Sequence, residues 1–276
     1  MHVLTRRAAR VCGGGADILS RTMTESAAVA GPAAYFGSAV TTAARLPGVR
    51  VHREAYLRSA LKAHCLPDVV DRAVEESPAV AGVSLALLSK AADASIRFET
   101  LKVTTLSTAA GLPGGFAMVA TVPADALQVL GHMLRVSQKL AYLYLWPDLF
   151  GNDSDEPDDA TQALLTLFVG VMFGATAAGE GVKKVSVAIG QQAAKELPKK
   201  ALTHGVVYPI VKRVAKTVGV KMTTETFAKG VGKIIPVVGG VVSGGLTLAS
   251  FLPMSHRLRR HLAGLPAAQP QVPAIS

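Results

Sequence analysis

Three stretches of the chain, Val103–Ala124, Ala160–Gly179 and Ile234–His256, contain no Asp, Glu, Lys or Arg, and each contains glycine. A membrane-crossing helix needs about 20 apolar residues to span a hydrocarbon core about 30 Å thick. Val103–Ala124 is broken in its middle by Gly111-Leu112-Pro113-Gly114-Gly115, so neither half is long enough. Ile234–His256 holds Pro236 and four glycines, which weaken a continuous helix. Only Ala160–Gly179, centred on Leu164–Phe173, has a marginal spanning length, and shallow or conditional insertion stays open for it and for Ile234–His256. Core helices hydrophobic all round account for these runs at least as well. Half of the residues are hydrophobic and 17% are charged, too polar a balance for a multi-span transporter.

Outside these runs the pattern is helical. Tyr56, Leu57, Ala60 and Leu61 form one apolar face, Pro67-Asp68 opens a second helix, and Ser77-Pro78 ends it. Ser84 is placed to cap a longer helix through Leu85, Leu88, Ala92 and Ile96. Gly170/Gly174 and Gly240/Gly244 have the spacing that lets two helix backbones approach closely. The fold expected is all-α, a single compact multi-helix domain over 48–262 with Gly-rich apolar helices or hairpins. A weakly structured leader, 1–47, precedes it, and a disordered Pro/Ala/Gln tail, 263–276, follows. Pro147–Asp159 reads as an exposed acidic linker that supplies negative charge to the next helix N-terminus; it lacks the Gly and Glu of an EF-hand loop.

Charge is distributed one-sidedly. Residues 181–276 carry fourteen Lys and Arg against Glu196 and Glu225 only, and residues 1–180 are slightly acidic. A basic segment of this kind suits an anionic partner, with solubilised helix faces as the bland alternative. Ile210, Val211, Val214 and Val218 form an apolar face with Lys212, Arg213 and Lys216 off it, which either lies on an anionic membrane or packs on the domain core. Lys183, Lys184, Lys199, Lys200, Lys212, Arg213, Lys216 and Lys233 are the candidate membrane contacts. Nucleic acid fits poorly, because the basic third has few aromatics and no recognised DNA- or RNA-binding motif. Cys12 and Cys65 are far apart in sequence, are flanked by no metal-ligand pattern and read as reduced, partly buried thiols. Arg6, Arg7 and Arg10 lead into Gly13-Gly14-Gly15 without an apolar stretch, so no export signal is read and a cytoplasmic location is expected.

Pro123–Trp146 is the most informative segment. Asp125, Gln128, His132, Arg135, Lys139 and Tyr142 step by 3, 4, 3, 4 and 3. At 100° per residue they fall within roughly 80° of one helix face. Asp125, Gln128, His132, Arg135 and Lys139 therefore form a candidate ligand site for a phosphate or carboxylate, or else a solvated face. The stripe argues against a lipid-exposed helix, since each central charge would cost roughly 2.5–3.5 kcal/mol there. No nucleophile, carboxylate pair or metal-ligand set completes it, so no catalytic residue, metal or cofactor is assigned, and an enzyme is the lesser expectation.

Gly111-Leu112-Pro113-Gly114-Gly115, Pro123-Ala124-Asp125, Gly131-His132, Arg135, Gln138-Lys139-Leu140-Ala141-Tyr142-Leu143-Tyr144 and Trp146-Pro147-Asp148 are similar to the EcsC family, as are Leu167–Gly174 and Tyr208–Lys212. Gly232–Gly240, Ser243-Gly244-Gly245 and Pro253-Met254 continue the likeness, which covers roughly residues 50–262. One departure is Leu145, where a Gly often precedes the Trp. The resemblance implies a bacterial helical protein. It also implies an accessory role to an ABC-type exporter or in envelope function, because the family takes its name from a gene beside the subunits of such an exporter. Together with the basic third, the expected function is a peripheral membrane-associated or adaptor protein at the inner face of the cell membrane, partnered by the anionic surface and ABC transporter subunits.

Overall fold

The computed structural model describes residues 31–110, 118–150, 156–192, 197–222, 239–265 and 268, without the side chains of 106–110, 118–126, 191–192, 222 and 239–247. Ten helices lie among these residues, and no strand: α1 (31–44), α2 (Arg53–Leu61), α3 (Pro67–Glu75), α4 (Leu85–Ala110), α5 (Met118–Leu143), α6 (Asp159–Met172), α7 (Thr176–Gln192), α8 (Lys199–Thr203), α9 (Tyr208–Met222) and α10 (Gly239–Ala263). The all-α expectation holds, and the helices form one compact arrangement.

Local chemistry explains most of the boundaries. Ser84 accepts a hydrogen bond from the Leu87 amide and starts α4, while Pro67 occupies the first turn of α3. Asp158 accepts from the Thr161 amide at 2.8 Å and caps α6. Replacing Asp158 by Ala leaves that amide without its partner, and a loss of about 1 kcal/mol is expected in a urea titration. An unchanged midpoint would show that the cap is dispensable. Arg53 ties three elements together: its guanidinium donates to the carbonyls of Val74 and Glu76 at the end of α3 and to that of Trp146 beyond α5.

Two groups of helices share one core. In the first, α4 packs against both α5 and α10. Asp93 of α4 accepts both contacts at 2.7 Å from Arg259 of α10. In the second, α6 is surrounded by α7, α8 and α9, and every residue from Ala163 to Met172 is buried. Trp146 joins the groups, fully buried with its ring edge-on to Phe168 at 5.1 Å.

The apolar run with spanning length is thus the central helix of a protein core. At 14 residues, α6 is about 21 Å long, short of a bilayer core. It stops because Gly174 adopts φ +74°, with Gly174 N–H donating to Val171 and Ala175 N–H to Gly170, the Schellman arrangement. Gly174 is therefore a helix terminator and not the second contact of a helix-pairing face. Gly170 does serve close approach: a Cβ there would collide with Val214 of α9 and lie 2.8 Å from Cβ of Ala178 on α7. The corresponding pair in α10, Gly240 and Gly244, lies outside the described side chains. No helix among the described residues is long and apolar enough to cross a membrane.

Several expectations need correction. The leader does not extend to residue 47: α1 places Phe36, Val40 and Ala43 in the core with no exposure, because its apolar face packs while its small polar residues do not. Residues 1–30 lie outside the described residues. The tail boundary shifts similarly, since Leu265 and Ala268 are buried. Pro147–Asp159 is not wholly exposed: Leu149 and Phe150 are core residues, and 151–155 lie outside the described part. The glycines and Pro253 do not interrupt α10, whose long contact with α4 outweighs weak intrinsic propensity. Leu145 sits at φ +96°, a backbone conformation that favours glycine, directly after α5.

Candidate functional site

The polar stripe of α5 turns toward α4. Glu99 lies on the buried face that α4 forms with Leu88, Ala92, Ile96 and Val103, and its side chain has no exposure. Three stripe residues converge on that carboxylate. Lys139 Nζ lies 2.6 Å from Oε1, Arg135 Nε 3.2 Å from Oε1, and His132 Nδ1 2.8 Å from Oε2. The 3–4 spacing puts these donors on one face over two turns, so one carboxylate on the neighbouring helix meets all three.

Electrostatics follow from the stoichiometry. Burial alone would raise the Glu99 pKa, but hydrogen bonds from His132 and Lys139, with the charges of Lys139 and Arg135, hold it at about 2. Burial lowers the pKa of Lys139 against the opposing pull of Glu99, and the charges of Arg135 and Lys102 add to the lowering. Its ammonium also faces the rings of Phe98 and Tyr56, at 5.0 and 5.8 Å from their centroids. The carboxylate is over-supplied with cations while each cation has only a share of one carboxylate.

The other stripe members have different fates. Gln128 is half-buried on α5 and is not a partner of Glu99 among the described residues. The side chain of Asp125 lies outside the described residues. Tyr142 is fully buried, with its hydroxyl donating to Asp148 and accepting from the Leu149 amide, both at 3.4 Å. Next to the stripe, the buried amide of Gln138 accepts from Val51 N–H at 2.9 Å and donates to Val49 at 3.0 Å, clamping the α1–α2 connection. A ligand anion at His132, Arg135 and Lys139 would have to displace or share Glu99.

Glu99 itself was not singled out by reading the stripe. The available signal was a carboxylate at the helical spacing of Leu88, Ala92, Ile96 and Val103, where an apolar residue belongs.

The basic residues are placed on α7, α8 and α9. Lys183, Lys184, Lys199, Lys200, Lys212, Arg213 and Lys216 are all exposed, and Lys233 lies outside the described residues. Lys199 pairs with Asp158 at 3.2 Å; the other six form no ion pair among the described residues. The apolar face of α9 packs on the core, with Val214 and Val218 buried against α6. Of the two readings of that helix, the face with Val214 and Val218 belongs to the protein interior, and the basic residues face solvent together with Tyr208 and Val220. At the elbow between α8 and α9, Val206 is 72% exposed and Tyr208 38% exposed, with the Lys212 ammonium 4.6 Å from the Tyr208 ring centroid.

Fold and site together define a helical domain with a buried cluster of one carboxylate, two cations and a histidine, and an outer basic surface. No protein-family model, curated protein or solved structure matches the chain.

Proposed function

We propose that this protein is a peripheral membrane-associated or adaptor protein, of the EcsC type its sequence resembles, working at an anionic membrane surface on the cytoplasmic side. An accessory role to an ABC-type exporter or in envelope function is part of the same reading. The observation that supports it is the outer surface of α7–α9, where Lys183, Lys184, Lys200, Lys212, Arg213 and Lys216 are exposed without carboxylate partners among the described residues. Each Lys or Arg near an anionic bilayer contributes about 1 kcal/mol. Val206 and Tyr208 add a small apolar and aromatic tip that suits the headgroup region. The apolar faces of α6 and α9 are occupied by the core, so attachment on this reading is electrostatic and shallow.

Vesicle flotation tests it. The expected result is binding to phosphatidylcholine vesicles containing 30% phosphatidylglycerol, none to pure phosphatidylcholine, and release in high salt. Reversing three charges (Lys212→Glu, Arg213→Glu and Lys216→Glu) should weaken binding by roughly 100-fold or more, from about 1 kcal/mol per cation. Absence of flotation with either vesicle would overturn the proposal. Equal binding to both would replace electrostatic attachment with insertion.

A further inference from the structure

A second cationic feature lies away from the Glu99 cluster. The end of α6, the first turns of α7 and the last turns of α10 enclose an open groove of about 680 Å³. Its floor is apolar, from Val171 and Ala175, and Lys183, Arg257 and Arg260 stand around it with Glu180 as the one acid. None of the three cations forms an ion pair among the described residues.

The groove is held in shape by side chains that cross it. Arg257 Nη1 donates to the Met172 carbonyl at 2.5 Å, and a Cβ at Gly174 would lie 3.3 Å from the same nitrogen. The guanidinium is thereby fixed across the end of α6 with four of its five N–H donors left for other partners. Arg260 follows three residues later on α10, on the same side of that helix. His261 is anchored by a 3.1 Å contact from Nε2 to the Gly179 carbonyl, and burial lowers its pKa, so near neutral pH the ring is a neutral donor to that carbonyl. The arrangement is a cationic rim, with Arg257 held in place, over an apolar floor.

Two physical requirements follow. Arginine forks match phosphate oxygens, so the rim selects an anion. An apolar floor gains nothing from a bare phosphate but does from a hydrocarbon chain. We infer that the groove between α7 and α10 binds a single anionic phospholipid, with its phosphate at Arg257, Arg260 and Lys183 and the start of an acyl chain on Val171 and Ala175. The inference rests on and deepens the membrane reading: the lysine surface would bring the protein to the bilayer, and the groove would recognise one lipid there.

The test separates the two by working without a membrane. Isothermal titration of the full chain uses dihexanoyl phosphatidic acid below its micelle concentration, with dihexanoyl phosphatidylcholine and inorganic phosphate as the other probes. The acid is expected to bind at least tenfold more tightly than either. Arg260→Gln removes one phosphate contact, and Ala175→Trp fills the floor; each should weaken the acid at least tenfold. Both positions are outside the α7–α9 lysine surface, and circular dichroism melting establishes that each variant is folded. Arg257 is avoided because its hydrogen bond caps α6. Equal binding of phosphate or of the neutral lipid, or full affinity in both variants, would overturn the inference. If the wild type floats with anionic vesicles yet does not bind the soluble acid, the groove fails and the membrane reading stands. If it binds the acid but does not float, the groove stands and the surface reading fails.

Discussion

Replacing Glu99 by Gln should lower the stability of this protein by about 3–5 kcal/mol, because it leaves Lys139 and Arg135 in the interior without their counter-ion. For a chain of this size that is a fall in melting temperature of roughly 6–20 °C. The amide has the same shape and can still hydrogen-bond, so lost packing would not explain the change. The pH dependence identifies the cause. Glu99 titrates at about 2 in the folded state against 4.5 ordinarily. A folded pKa below the unfolded one gives stability that is present above the unfolded value and lost as pH falls through the folded one. The difference corresponds to roughly 3 kcal/mol, fully present above pH about 4.5 and lost toward pH about 2. The gap between wild type and Glu99→Gln should therefore narrow on acidification, measured as urea midpoints from pH 6 to pH 2.5. A gap that stays constant over that range would mean the ion pairs do not contribute as the geometry indicates.

The second large effect is expected at Gly170. An alanine there gains about 1 kcal/mol in helix propensity, so on an open helix face it would stabilise. Here the new Cβ meets a Val214 methyl and lies 2.8 Å from Ala178 Cβ. Overpacking of this sort costs typically 1–3 kcal/mol, and three helices must separate to relieve it. A net loss of about 1 kcal/mol is expected, a drop in melting temperature of roughly 2–4 °C. Combining it with Val214→Ala should remove at least about 1 kcal/mol of the overpacking penalty, since the two changes share one contact. Ala178 keeps the rescue partial. Strict additivity of the two changes would show that α6 and α9 are not in contact through Gly170.

Much of the fold was legible along the chain. Ser84 and Pro67 mark helix starts because capping and proline geometry act within one turn, and the structure begins α4 and α3 at those places; that Asp158 in the acidic linker caps α6 was shown by the structure. α4 ends at Ala110 and α5 begins at Met118, on either side of the Gly-Leu-Pro-Gly-Gly segment, which lies outside the described residues. What the sequence concealed lay between helices. The stripe of α5 has one periodicity whether it meets water, a ligand or a carboxylate, and only the position of α4 made Glu99 its partner. Likewise, the spacing of Gly170 and Gly174 does not distinguish a pairing face from a helix end; the φ of Gly174 and the nearness of Val214 did. The small apolar residues of α1 were unremarkable in sequence, because a short helix gains its stability from the surface it covers.

By itself, then, the sequence determined the helical class, the principal breaks and the basic third, all set by interactions within a few residues. The tertiary structure decided which apolar runs are core, which cations are neutralised and which remain exposed. Burial and counter-ion pairing depend on residues brought together from distant parts of the chain, and no local pattern encodes that distance.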